Sequence, residues 1–202
     1  DLSAPPSIPQ AETGTGVILS ITPPSGEALT YTQVYEKAAP SIAALTAYSA
    51  GMVSTGTGIV LTADGYIVTN AHIIAGAEQV NVTLSDDSLW SAQLVGFEPL
   101  EDLAVLKIDA SGLTPAQFGD DTLLRSGDPV SAIGNPMGYR STITPGIVSA
   151  LDQPVSVEGT TMYLLQTSAA INYGSSGGAL LNDRGQVVGV TTIKIVADDG
   201  SA

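Results

Sequence analysis

The stretch Ala169–Leu180 reads AAINYGSSGGAL and places one serine, Ser176, among small residues. Gly174 and Ser175 precede this serine, and two glycines follow it. Glycines let the backbone adopt positive φ and bring its N–H groups close to a substrate carbonyl. In such a turn Ser176 can act as a nucleophile while the backbone N–H groups of Gly174, Ser175 and Ser176 stabilise an oxyanion. The same pattern is also typical of an ordinary turn between strands, so the rest of the chain must decide.

The composition indicates an all-β protein with an acidic surface. Of the 202 residues, 44% are hydrophobic and 13% charged, while 22 Gly and 12 Pro supply the turns that many short strands need. The net charge of −14 repels phosphate backbones and anionic membranes, which argues against a nucleic-acid or membrane-surface role. Because the chain has no cysteine, disulfides, thiolate catalysis and zinc–thiolate sites are excluded.

The N-terminal part of the chain lacks the strand pattern that follows it. Residues Asp1–Thr30 are rich in Pro, Ser, Thr and Gly, a composition that predicts a linker or arm. Its apolar patch, Val17–Ile21, is a candidate for adding a strand to a neighbouring sheet. Residues Tyr31–Ala39 are predicted to form one or two helical turns, which Pro40 ends.

Two sets of short strand-like runs occupy the remaining sequence, with the turn-rich stretch 110–128 between them. Their spacing of about 8 to 12 residues, without long helical periodicity, indicates two packed barrels or a sandwich. The first set comprises Ser41–Tyr48, Gly56–Leu61, Tyr66–Thr69, Gln79–Leu84, Ser88–Phe97 and Asp102–Ile108, and the second comprises Pro129–Ile133, Ser141–Leu151, Met162–Thr167, Gly178–Leu181 and Gln186–Val196.

A catalytic serine needs a base, and the chain contains a single histidine, His72, which follows a predicted strand. The base in turn needs a buried carboxylate that holds its tautomer. Asp102 opens the apolar run LAVLKI and is the best candidate, whereas Glu101 is weaker because successive strand residues face opposite ways. The order His72, Asp102, Ser176 is that of the trypsin-like double-barrel proteases. A lone histidine is otherwise more often a plain surface or core residue.

Five motifs stand out along the chain: GYIVTNAHII (residues 65–74), EDLAVLKI (101–108), GDPVSAIGNPMG (127–138), ITPGIVSAL (143–151) and QTSAAINYGSSGGALLN (166–182). Together they closely resemble the protease domain of the HtrA/Deg family and run in the family's order. The resemblance implies that His72 is the general base, that Asp102 orients it and that Ser176 is the nucleophile. It also implies oxyanion donors in the backbone of Gly174, Ser175 and Ser176.

The resemblance also implies an architecture and a biological role. We expect an all-β, trypsin-like double six-stranded β-barrel, with an arm in residues 1–30, the first barrel in 31–113 and the second in 114–202. The implied activity is ATP-independent endoproteolysis of misfolded or unfolded proteins outside the cytoplasm, in the periplasm, at the cell envelope or after secretion. A homotrimer, no metal and no cofactor are implied as well, with a PDZ domain in the full-length protein and membrane contact only through an N-terminal anchor.

Three departures from the family pattern carry expectations of their own. Residues Asn172–Ser175 read NYGS where the family usually has Asn-Pro-Gly-Asn, and the loss of proline is expected to loosen the loop and lower resting activity. In the specificity pocket, Ile171 fits the family, but Lys194 stands at a position that is often apolar. We expect Lys194 to point out of the pocket, with a polar or acidic cleavage preference as the alternative. After Val196–Ala202 the family continues into a last strand, so the second barrel is expected to have an open edge unless another segment covers it.

Two other classes of protein remain as alternatives. The first is a catalytically silent, protease-fold chaperone or binding module, in which the loop around Tyr173 keeps the site inactive while a hydrophobic cleft captures unfolded chains. The second is a carbohydrate-binding or structural β-sandwich, which explains the strands but leaves the ordered His, Asp and Ser motifs as coincidence. A reactive-serine probe distinguishes the enzyme from the first alternative, and an unchanged activity in His72→Ala would favour the second.

Overall fold

The structure is a computed structural model that describes residues 4–12, 17–135, 141–157 and 160–192. Its strands form two curled sheets, each with seven strands. A short strand, β1 (Ile21–Thr22), precedes helix α1 (Tyr31–Ala38) and a 3₁₀ turn, Ala39–Ser41, that contains Pro40. Within the described residues, no helix is long and apolar enough to cross a bilayer.

The first sheet is antiparallel throughout and is built from residues 42–107. Along the sheet the strands follow the order β6-β5-β2-β3-β4-β8-β7, where β2 is Ile42–Ser49, β3 Met52–Val60, β4 Tyr66–Thr69, β5 Gln79–Thr83, β6 Leu89–Ser91, β7 Gln93–Glu98 and β8 Leu103–Lys107. A short helix, α2 (Ala71–Ile74), follows β4.

Local turn chemistry explains why β4 begins where the sequence predicts it. Gly65 has φ 102°, and a Cβ at this position would lie 2.3 Å from the carbonyl oxygen of Ile108, so only glycine fits. The prediction of one strand over Ser88–Phe97 is wrong, because the structure breaks the run at Ala92. On one side of the break β6 pairs with β5, and on the other side β7 pairs with β8. The chain therefore passes from one edge of the curled sheet to the other.

The second sheet contains both parallel and antiparallel pairs. Its order is β1-β9-β14-β13-β10-β11-β12, where β9 is Phe118–Gly119, β10 Pro129–Gly134, β11 Thr142–Val157, β12 Thr160–Thr167, β13 Ala179–Asn182 and β14 Val187–Val190. The apolar patch of the arm does supply a strand, since β1 pairs in parallel with β9 through Ile21 and Phe118. The all-β, double-barrel prediction is confirmed, and within the described residues each sheet has seven strands where six were expected. The predicted open edge after Val196 lies outside the described residues.

A cluster of buried side chains joins the two sheets. It contains Val34 and Ala38 from α1, Ile42 and Ile59 from the first sheet, and Ile133, Ala179, Leu181 and Val187 from the second. Helix α1 is oriented by a capping box, in which the Thr30 hydroxyl accepts from the N–H of Gln33 and the Gln33 side chain accepts from the N–H of Thr30. The packed junction brings β3 next to the loop that carries Ser176.

The N-terminal arm is partly fastened to the first sheet. Ile8 is only 5% exposed and belongs to the core of that sheet. The N–H of Ser7 donates to the oxygen of Ala77 at 2.7 Å, and the N–H of Ala11 donates to the oxygen of Leu94 at 2.8 Å. Ala77 closely follows α2, and Leu94 lies on β7 at the edge of the sheet. Through Ser7 and Ala11 the arm is therefore bonded both to the end of the helix and to this edge strand.

Replacing Ile8 with alanine is expected to lower the free energy of unfolding by about 2–4 kcal/mol, because it empties a buried site. Urea unfolding followed by circular dichroism measures the change. The control is Met52→Ala at the start of β3: Met52 is 70% exposed, so its removal is expected to change stability by less than about 0.5 kcal/mol. Equal effects of the two substitutions would show that the arm does not pack on the core in solution.

Candidate active site

The structure brings His72 and Asp102 together. His72 lies on α2, directly after β4, and the imidazole Nδ1 is 2.8 Å from Oδ2 and 3.0 Å from Oδ1 of Asp102. The backbone N–H of His72 also donates to Oδ1 of the same carboxylate at 2.9 Å. One carboxylate therefore holds both the ring and the backbone of the histidine.

The backbone of Asp102 is itself held in an uncommon conformation. Its φ is 51°, in the left-handed region that aspartate tolerates better than most residues. Its carbonyl oxygen accepts from Asn70 Nδ2 at 3.0 Å and from the N–H of Ala71 at 3.2 Å. Glu101, the weaker candidate carboxylate, is exposed and makes no hydrogen bond to His72 within the described part of the chain. The structure therefore favours Asp102 as the partner of the histidine.

The Asp102 carboxyl group stays ionised at a lower pH than an ordinary aspartate does. Burial opposes ionisation, but hydrogen bonds from the His72 ring, the Thr192 hydroxyl and the His72 backbone N–H outweigh burial and lower the pKa of Asp102 beneath its usual 3.8. A carboxylate at Nδ1 stabilises the tautomer in which Nδ1 carries the hydrogen, so Nε2 is left to accept a proton. The pair therefore has the chemistry of an oriented general base.

The lowered pKa has a consequence for stability. A carboxyl group whose pKa is lower in the folded state stabilises the protein above its unfolded-state pKa, and this contribution is lost as the pH falls through the folded-state pKa. We therefore expect the parent to be more stable than Asp102→Asn at pH 7 and the difference to shrink as the pH falls below about 4. Urea midpoints of both proteins at pH 7 and pH 3 measure it, and a difference that is independent of pH would contradict the ionised pair.

Thr192 links this pair to the serine and was missed by the sequence analysis. Its hydroxyl donates to Oδ2 of Asp102, and its carbonyl oxygen accepts from the Ser176 Oγ hydroxyl at 3.3 Å. Within the described part of the chain no hydrogen bond joins Ser176 Oγ to the His72 ring; in proteases without substrate this contact is often long. No signal in the sequence pointed to Thr192, which lies inside the predicted strand Gln186–Val196, whereas the observed strand β14 ends at Val190.

The loop before Ser176 forms a hydrogen-bonded turn. The N–H of Ser175 donates to the oxygen of Asn172 at 2.9 Å, and Gly174 has φ 85°, as the third residue of a type II turn requires. Tyr173 occupies the second position and is fully exposed. Since the Ser175 N–H is used within the turn, the candidate oxyanion donors reduce to the N–H groups of Gly174 and Ser176, for which the described residues supply no acceptor.

A pocket of about 270 Å³ lies beside this turn. Ile171, the residue expected in the specificity pocket, is half-buried and lines it. Lys194, the second residue expected there, lies outside the described residues. The rest of the lining comes from the β11–β12 hairpin and from residues next to Ile171, and it is mixed apolar and amide in character: Gln153, Val155, Leu164, Leu165, Gln166, Thr167, Ala169, Ala170 and Asn172.

Comparison with known proteins agrees with this geometry. The model of the trypsin-like peptidase domain family matches residues 56–190. Serine protease PepD of Mycobacterium tuberculosis is 40% identical over 206 aligned residues, covering 94% of this chain and 42% of its own length. A probable periplasmic serine endoprotease, DegP-like, of Chlamydia trachomatis is 44% identical over 149 residues, covering 72% of this chain and 29% of its own length.

Solved structures lead to the same family. The HtrA-type protease AlgW with a tripeptide superposes with a TM-score of 0.75 at 42% sequence identity, covering 80% of this chain and 53% of that chain. This chain spans well under half the length of the two curated relatives, 42% of one and 29% of the other. The family model, the relatives and the fold agree, and the chain belongs to the HtrA-type family of trypsin-like serine proteases.

Proposed function

We propose that this chain is the protease domain of a serine endopeptidase in which Ser176 is the nucleophile, His72 the general base and Asp102 the residue that orients the base. The observation that carries the proposal is the Asp102 carboxylate: both of its oxygens contact the His72 ring, and one of them, Oδ2, also accepts from the Thr192 hydroxyl. The carbonyl of the same threonine bonds Ser176 Oγ, so three separate segments converge. We place the first barrel in residues 31–113 and the second in 114–202.

Acyl transfer follows from these positions. Ser176 Oγ turns from the Thr192 carbonyl toward His72, whose Nε2 takes the hydroxyl proton as Oγ bonds to the scissile carbonyl carbon. The N–H groups of Gly174 and Ser176 stabilise the tetrahedral oxyanion. When the C–N bond breaks, the imidazolium returns the proton to the leaving amine. Water, deprotonated by the same Nε2, then attacks the acyl carbon, and the imidazolium returns this proton to Ser176 Oγ as the ester C–O bond breaks and the acid product forms.

We propose misfolded or unfolded proteins outside the cytoplasm as the substrates. Support comes from the name of the Chlamydia trachomatis relative, a probable periplasmic endoprotease, and from the pocket beside Ile171, which suits an aliphatic side chain. A full-length protein with a PDZ domain, and an N-terminal anchor as the one membrane contact, belong to the same proposal. A homotrimer is supported by exposed apolar side chains in the arm, at Ile18, Leu19 and Ile21, whose burial between subunits would remove them from water.

Labelling by a fluorophosphonate probe tests the proposed activity. The parent and Ser176→Ala are compared with and without an unfolded protein present. Labelling of the parent alone identifies Ser176 as an activated nucleophile, and stronger labelling with the unfolded protein would mean that substrate orders the Asn172–Ser175 turn. If the parent is not labelled under either condition, the endopeptidase proposal fails and a silent, substrate-binding protease fold takes its place.

A further inference from the structure

We propose that Thr57 is a positioning residue for the oxyanion turn, an inference that rests on the proposed function and adds to it. Thr57 lies on β3, in the first sheet, and is 0% exposed. Its N–H donates to the oxygen of Ser176 at 2.8 Å, and its hydroxyl donates to the oxygen of Gly174 at 2.7 Å. One residue of the first sheet thus binds carbonyl groups on both sides of Ser175, in the loop of the second sheet.

These bonds matter because a peptide group is planar, so holding its C=O also orients the N–H on the same plane. The plane that holds the Gly174 carbonyl also holds the Ser175 N–H, which donates to Asn172. Thr57 therefore binds one end of this plane, and the turn binds the other. The next plane joins the Ser175 carbonyl to the Ser176 N–H, and the Thr191 hydroxyl donates to that carbonyl at 2.7 Å.

The remaining plane of the turn carries the Gly174 N–H, the second candidate oxyanion donor. Its carbonyl belongs to Tyr173, which is fully exposed, and among the described residues no donor reaches that oxygen. The direction of the Gly174 N–H consequently depends on the neighbouring plane that Thr57 holds. Without that anchor the glycine, which tolerates most backbone conformations, is free to rotate its N–H away from a substrate oxygen.

The fit around Thr57 leaves its partners few alternatives. The hydroxyl also accepts from the N–H of Asn135 at 2.9 Å, so its donor and one acceptor position are both used. A Cβ on Gly177 would lie 2.1 Å from the carbonyl oxygen of Thr57, which means that the loop runs directly against β3. Valine at position 57 keeps the shape but removes a partner from the Gly174 carbonyl and from the Asn135 N–H. A buried polar group without a hydrogen-bond partner raises the free energy of the folded state. We therefore expect the loop to move away from β3 in this variant.

The same residue connects the base to the oxyanion turn. The hydroxyl of Thr69, at the end of β4 and three residues before His72, donates to the carbonyl oxygen of Thr57 at 2.7 Å. Strands β3 and β4 are paired through Ile59 and Val68. The strand that leads to His72 and the loop that ends at Ser176 are therefore held to a common residue, and this keeps the base and the oxyanion donors in register.

Thr57→Val, Thr57→Ser and Ser131→Ala test the inference in two assays. We expect Thr57→Val to lower kcat about 10- to 100-fold, less than the loss of an entire oxyanion donor, with KM nearly unchanged. Thr57→Ser, which keeps the hydroxyl, should recover kcat to within about threefold. Ser131→Ala is the matched control, because Ser131 is also buried, at 1% exposed, and has no part in the proposed site; its kcat should stay within about threefold of the parent's.

Hydrogen exchange, measured by mass spectrometry on peptides covering residues 172–178, gives a readout that does not need catalysis. Thr57→Val should speed exchange there about tenfold, since the loop loses an anchor, while the serine variant stays like the parent. Full kcat and unchanged exchange in Thr57→Val, or equal losses in Ser131→Ala, would overturn the inference. An inactive parent whose exchange still responds to Thr57→Val would count against the endopeptidase proposal and leave the anchoring role standing.

Discussion

Ser176→Ala is expected to lower kcat toward unfolded protein by about 10⁶-fold, because no other group in the loop replaces the attacking oxygen. The substitution removes one long hydrogen bond, the 3.3 Å contact from Oγ to the Thr192 carbonyl. We therefore expect the free energy of unfolding to change by less than about 1 kcal/mol. Steady-state cleavage of a fluorescently labelled unfolded protein measures kcat, and urea unfolding measures stability.

The control for this prediction is a second serine away from the site. Ser49, half-buried at the end of β2, has no part in the proposed mechanism, so Ser49→Ala should keep the parent's kcat within about twofold. If Ser176→Ala retains kcat within tenfold of the parent, the measured cleavage does not use Ser176, and either another residue or a contaminating protease is responsible.

Asp102→Asn is expected to lower kcat by about 10⁴-fold while the fold is retained. An asparagine amide turned toward Nδ1 donates a hydrogen, which favours the histidine tautomer whose Nε2 cannot accept the serine proton. We expect the backbone to keep its conformation, because asparagine tolerates the left-handed φ of 51° at this position. The bonds from Asn70 and Ala71 reach the carbonyl of residue 102, which the substitution does not alter.

The neighbouring Glu101 supplies a matched control, since it is an exposed carboxylate one residue away. Glu101→Gln should keep kcat within about twofold, and the comparison decides between the two carboxylates that precede β8. Circular dichroism and urea midpoints establish that both variants are folded before their rates are compared. A large loss in Glu101→Gln with little loss in Asp102→Asn would contradict the assignment of the orienting carboxylate.

Some elements of the fold could be predicted because their causes are local. The helix over Tyr31–Ala38 and the strand Tyr66–Thr69 follow from capping, from alternation and from the turn at Asp64 and Gly65. The break at Ala92 was not predictable, because it arises where the two edges of a curled sheet approach each other. The burial of Ile8 in a proline-rich arm was likewise not predictable, because that segment has no periodic pattern to read.

The same distinction between local and long-range causes applies to the candidate site. The residue types and the order of His72, Asp102 and Ser176 were determined by the sequence, since a histidine after a strand, an aspartate opening an apolar run and a serine among glycines are local features. Only the tertiary structure decided the roles of Thr57 and Thr192, whose partners lie 117 and 90 residues away. Threonine is common in strands because its β-branched side chain packs well there. Nothing in the sequence around Thr57 or Thr192 therefore indicates that its hydroxyl bonds a residue far along the chain.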